Sequence, residues 1–138
     1  MATHVSKTTQ AEVGNHIVLV QHEGLPTRDP ERARDFYMRV FGLQVLPRPP
    51  LPAPGYWLGT PGGFPQIHII ECDSPVPGPD APIDPVGRHV CFEVQDMEAF
   101  KRVLDREGIK YLEAPVVGRP QLWINDPDGH TLEFQQAG

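Results

Sequence analysis

Long apolar runs are missing from this 138-residue sequence. The longest purely aliphatic one near its start is Ile17-Val18-Leu19-Val20, far short of a membrane span or of the apolar centre of an export signal. No membrane partner is expected, and a cytoplasmic location follows by default. Cysteine is scarce too: Cys72 and Cys91 stand 19 residues apart and form no CxxC pair, which argues against a zinc knuckle or a thioredoxin-like motif and leaves two free thiols. Basic charge is in deficit, with 12 Lys and Arg against 18 Asp and Glu, a net charge of -6 and a pI near 5.4. No basic stripe interleaved with aromatics offsets the repulsion this charge sets up against a phosphate backbone, so nucleic acid is not an expected partner.

Turn formers are abundant instead. Seventeen prolines and 13 glycines, beside a hydrophobic fraction of 39% and a charged fraction of 22%, describe a loop-rich α+β protein. The length suits one domain with one hydrophobic core, so a metal, if bound, need not act as a structural staple.

Residues 1–14 are polar and aperiodic and read as a flexible tail; 15–138 read as a single domain. The β-branched stretch His16-Ile17-Val18-Leu19-Val20 predicts the first strand, followed by an extra turn-prone loop through Gly24 to Arg28. A helix is expected from an Asp29 cap and Pro30, with Ala33, Phe36, Tyr37, Val40 and Phe41 on one stripe and Gly42 as its stop. Three short strands follow near 44–46, 56–58 and 66–71.

Between Cys72 and Pro85 five of fourteen residues are proline, which marks an extended linker. It divides a first module (15–71) from a second (86–138) that repeats the plan: a strand from His89 to Val94, a cap at Asp96, a helix carrying Met97, Phe100, Val103 and Leu104, a stop at Gly108, and strands near 110–113, 121–124 and 131–135. Asn125-Asp126-Pro127-Asp128-Gly129 reads as the turn between the last two strands. The expected fold is therefore two βαβββ modules forming a curved mixed sheet around a shared cavity.

Aligned on the helix-ending glycines, the halves place chemistry at matching positions. His68 lies 26 residues after Gly42 and Glu133 lies 25 after Gly108; His16 lies 26 before Gly42 and His89 19 before Gly108, with the extra loop absorbing the difference. Strand alternation sets each apart from its apolar neighbours, so all four can face the cavity. Three imidazoles and a carboxylate suit one divalent transition metal (zinc, iron, nickel, cobalt or manganese) rather than calcium or magnesium. His4, His22 and His130 fall outside this pattern and read as solvated. Cys91 and Glu93 share the parity of His89, and Gln135 that of Glu133; each either lines the cavity or is structural or solvated.

Asn15-His16-Ile17, Arg34-Asp35-Phe36-Tyr37 running to Phe41-Gly42-Leu43, and Asn125-Asp126-Pro127-Asp128-Gly129-His130 leading to Leu132-Glu133 resemble the vicinal oxygen chelate superfamily over about 14–136. That superfamily includes glyoxalase I, extradiol dioxygenases, fosfomycin-resistance enzymes, methylmalonyl-CoA epimerase and bleomycin-binding proteins. The resemblance implies metal ligands at His16, His68, His89 and Glu133. It also implies a metal that chelates two adjacent oxygens of a small substrate and promotes proton transfer, with Glu133 as catalytic base, in a glyoxalase-like lyase or isomerase. Ring-cleaving dioxygenase, thiol transferase and drug-sequestering protein are the alternatives. Glyoxalase I usually has a glutamate where this chain has His68. Pairing into a homodimer is expected, and substrate choice is expected to lie with the loops Pro47 to Gly55 and Val116 to Pro120.

Overall fold

The computed structural model describes residues 16–114 and 119–138. The expected tail over 1–14 and residues 116–118 of the second expected loop lie outside them. Ten elements follow in order: β1 (Glu23–Thr27), α1 (Pro30–Phe41), β2 (Gln44–Leu46), β3 (Gly55–Gly59), β4 (Ile67–Glu71), β5 (Val90–Val94), α2 (Met97–Arg106), β6 (Leu112–Glu113), β7 (Gln121–Asn125) and β8 (Thr131–Gln136). This is the α+β fold of two βαβββ modules, each with its own four-stranded mixed sheet, ordered β1-β4-β3-β2 and β5-β8-β7-β6.

The helices start where the sequence says they should. Asp29 accepts from the Arg32 amide at 3.0 Å and Asp96 from that of Ala99 at 3.1 Å, each satisfying a donor that a helix start leaves free. Gly42, at φ 70, closes α1 with its N–H on the Met38 carbonyl. Ala33, Phe36, Tyr37 and Val40 are buried on one face of α1, and Phe41 reaches across to Phe92, Phe100 and Phe134. One core therefore spans both modules.

The first strand differs from the expectation. His16–Val20 forms no strand, and Ile17, Val18, Leu19 and Val20 are 72%, 89%, 60% and 84% exposed. The segment read as an extra loop, Gly24 to Arg28, is where β1 runs. Local β-propensity lost to tertiary position: a strand hydrogen-bonded to β4 and followed at once by the Asp29 cap buries Leu25 and Thr27, and no such cover reaches Ile17–Val20. Pro26 is tolerated because β1 is an edge strand.

The turn between β7 and β8 is more than a turn. Asp126 is buried and accepts from the Tyr37 hydroxyl at 2.8 Å and from the amides of Asp128 and His130. Asp128, also buried, accepts from the Thr27 hydroxyl at 2.7 Å, the Arg28 amide and the Arg32 guanidinium. Two carboxylates of the second module thus clasp the β1–α1 corner of the first. The proline-rich linker docks there as well, since the Gly78 amide donates to the Asp128 carbonyl and Asn125 donates to the Ala81 carbonyl.

Candidate metal centre

Strand register builds two matching rows. In the first module Gly24, His68 and Trp57 stand side by side across β1, β4 and β3. In the second, Cys91, Glu133 and Trp123 do so across β5, β8 and β7. Residues opposite one another in a sheet share a face, so His68 and Glu133 occupy equivalent places, each beside a tryptophan.

His22 and His89 complete the rows. Each immediately precedes the first strand of its module, and each stands seven residues before the helix cap, Asp29 or Asp96. His22 is therefore not in an extra loop; it holds the repeat position that the sequence assigned to His16. Its ring is exposed but stacks on His68, with centroids 3.8 Å apart and planes 11° apart, and Trp57 stacks on the other side of His68 at 4.4 Å. His16 lies ahead of β1, exposed and outside any strand. His130 is not simply solvated either, since its Nε2 meets the Pro26 carbonyl at 2.7 Å, half-buried between the modules.

One member of each pair, His22 and His89, lines a shared cavity, and His68 and Glu133 are not among its lining residues. A cavity of about 370 Å³ between β1 and β5 is lined by His22, Ile67, His89, Val90 and Cys91, among others. On its second-module side, His89 Nδ1 stands 2.7 Å from the Gly87 carbonyl and Nε2 stands 3.1 Å from Glu133 Oε1. A neutral ring that donates from Nδ1 to Gly87 turns a lone pair at Nε2 toward a carboxylate oxygen. Two acceptors cannot face each other at that distance without a cation between them, either a proton or a metal ion.

Donors bound side by side on a zinc-like ion, each about 2.0–2.2 Å from it, stand about 3 Å apart. The His89–Glu133 separation fits that spacing, and the carbonyl behind Nδ1 is the usual outer partner of a ligating imidazole. The first-module pair fits in chemistry and placement but not in ring orientation. Imidazole lone pairs lie in the ring plane, so two nearly parallel rings cannot aim at one point, and one of them has to turn. Accordingly, no group of three or more His, Cys, Asp or Glu side chains among the described residues is already close enough to hold an ion.

Glu133 is 7% exposed and heavily solvated by protein. Trp123 donates to Oε1 at 2.9 Å and Gln135 to Oε2 at 2.8 Å. Burial pushes the carboxyl up, but hydrogen bonds led by Cys91, Gln135 and Gln121, with His89, outweigh it and hold it down at about 2. It is a permanent anion, good as a ligand and weak as a base. The Cys91 thiol goes the other way, pushed up to about 12 by burial and by its bond to Glu133, so it serves as a neutral donor and not as a thiolate. Burial, with the neighbouring His22 and, more weakly, Arg48, lowers the proton affinity of His68 and keeps its ring neutral, as a ligand must be.

Residues 15–134 match the model of the Glyoxalase/Bleomycin resistance protein/Dioxygenase superfamily. The chain belongs to that superfamily. It is 29% identical over 131 residues to "Glyoxylase I 4" of Arabidopsis thaliana, covering 89% of this chain and 74% of that protein. It is 31% identical over 130 residues to the mitochondrial methylmalonyl-CoA epimerase of Mus musculus, covering 86% and 72%. In fold it is similar to a putative glyoxalase family protein from Bacillus anthracis, with a TM-score of 0.73 at 23% identity, over 90% of this chain and 98% of the other.

Proposed function

We propose that the protein is a divalent-metal-dependent enzyme of the glyoxalase-like type, a lyase or isomerase acting on a small substrate with two adjacent oxygens. The observation that carries this reading is the facing of His89 Nε2 and Glu133 Oε1 at 3.1 Å with the Nδ1 side of the ring already committed to a carbonyl. The curated relatives, a glyoxalase and an epimerase by name, favour the same chemistry. His22, His68, His89 and Glu133 would hold the ion, with His22 in the place expected of His16. When bound, a zinc-, iron-, nickel-, cobalt- or manganese-like ion supplies a Lewis acid that makes a carbon-bound proton of the substrate removable.

Within this reading the residues have distinct tasks. Trp123 holds the Glu133 carboxylate through Oε1, and Trp57 stacks on the His68 ring. Glu133 is proposed as the proton acceptor through Oε2, once the half-buried Gln135 amide has swung off that oxygen, because its full set of donors makes it too weak a base. A homodimer is proposed as well, supported by the exposed apolar run Ile17–Val20 beside the edge strand β1.

A second reading is favoured by the His22–His68 stack. If only one of the parallel rings turns toward the ion, the donors reduce to two imidazoles and one carboxylate, the set used by ring-cleaving non-haem iron dioxygenases.

Metal titration of the purified protein tests both readings. His89→Ala and His22→Ala are expected to weaken zinc or manganese uptake about tenfold or more, while His16→Ala leaves it unchanged. Full uptake by His89→Ala would refute the site. A sharp loss in His16→Ala alone would return the fourth position to His16. Oxygen consumption with a catechol after loading with iron(II) would single out the dioxygenase reading.

A further inference from the structure

Three flat rings stand in a row on the first-module face. Trp57 and His68 have centroids 4.4 Å apart and planes 13° apart, and His68 and His22 follow at 3.8 Å and 11°. The inner ring is fully committed: His68 has Trp57 on one face, His22 on the other, and its Nε2 2.9 Å from the Pro65 carbonyl. His22 is not. Its Nδ1 edge meets Gln21 Oε1 at 3.0 Å, but only His68 stacks on it among the described residues, and the residue is exposed. A ring at the end of a row keeps one face unused.

That end of the row stands at a cavity. His22 lines the space of about 370 Å³ between β1 and β5, whereas His68 and Trp57, further back in the row, do not. Val20, Ile67, Val90 and Phe92 give it apolar walls, and no lysine or arginine lines it to meet an anion. Apolar walls around an unused flat face suit a neutral planar molecule of one or two fused rings. A puckered molecule of the same size gains less, because only a flat ring continues the stack.

We propose that the metal-free protein has a second binding activity, in which His22 is a stacking platform for neutral planar aromatic molecules that become the fourth ring of the row. Metal uptake opposes it. Of the two parallel imidazoles, His22 has the open face and can turn toward an ion, and turning removes the platform. This opposition rests on the reading of His22 as a ligand, whereas the platform itself does not.

The test titrates metal-free full-length protein at pH 7.5 with 2-naphthol and with decahydro-2-naphthol, which has the same carbon skeleton but is puckered, followed by NMR. Wild type is expected to bind 2-naphthol about fivefold or more tighter than the saturated probe, with the ring protons of His22 shifted upfield by the stacked ring. His22→Leu should bind the two probes equally, and His22→Phe, which restores a flat face, should keep the preference. Both variants should melt at the wild-type temperature, since the substituted ring is exposed, and this separates lost recognition from lost folding. Saturating zinc should weaken 2-naphthol binding about tenfold or more, and 2-naphthol should weaken zinc uptake by the same factor. Equal binding of the two probes by wild type, absence of the upfield shift, or a preference that survives His22→Leu would each overturn the platform. Zinc and 2-naphthol bound together with unchanged affinities would overturn the opposition alone. Failure of wild type to take up any zinc would refute the metal-dependent reading, and the two-probe comparison would still decide the platform.

Discussion

The hydroxyl of Tyr37 in α1 donates to Oδ2 of Asp126, 89 residues later, at 2.8 Å, with both side chains buried. This one bond fastens the helix of the first module to the turn of the second. Tyr37→Phe leaves a buried carboxylate oxygen short of a donor and is expected to cost about 1–3 kcal/mol. Thermal denaturation should show the midpoint falling by about 2–8 °C. An unchanged midpoint would mean that water or another donor replaces the phenol.

Burial raises the Asp126 carboxyl above its ordinary range, against the opposing pull of His130 and the Tyr37 bond. A carboxyl whose folded value is raised holds its proton better folded than unfolded. Its contribution to stability is thus complete below the unfolded value and is lost as pH rises through the folded one. Asp126→Asn removes that loss, so stability of the wild type relative to this variant should decline from about pH 4 toward neutrality. Parallel denaturant curves for the two proteins across that range would contradict the assignment.

Glu133 has the opposite sign. Its carboxyl is held at about 2, below the ordinary 4.5, so it stabilises the metal-free fold above about pH 4.5 and that stability is lost as pH falls toward 2. The difference corresponds to roughly 3 kcal/mol. Glu133→Gln should flatten the acid limb of the stability profile and, separately, abolish tight metal uptake. Denaturant titrations at stepped pH on metal-free protein check the first effect and calorimetry the second.

His68 occupies the place that mirrors Glu133. His68→Glu would give the site two facing carboxylates, at the cost of the stack with Trp57 and His22. Turnover of the methylglyoxal–glutathione adduct should rise from background in this variant. Its absence in a variant that still binds metal would detach the site from glyoxalase I chemistry.

Most of the fold was legible in the sequence because its signals are local: Asp29 and Asp96 as caps, Gly42 as a stop, and the apolar stripe through Phe36 and Val40 all act within a few residues. The first strand was misplaced because Ile17–Val20 has the stronger β-propensity, while Gly24-Leu25-Pro26 has a weak one and is recruited by its pairing with β4. The same shift moved the position that mirrors His89: alignment on the helix caps places it at His22, since His22 and His89 both stand seven residues ahead of their aspartates. The clasp formed by Asp126 and Asp128 looked like turn chemistry because its partners, Tyr37 and Thr27, lie some 90 to 100 positions away, where no spacing rule reaches.

In the proposed ligand set the unequal halves would fix the charge of the centre. Three uncharged rings and a single anion would leave a doubly positive ion with one unit of surplus charge, whereas a pair of opposed carboxylates would neutralise it. A centre of this kind attracts electron-rich ligands more strongly and releases negatively charged products more slowly.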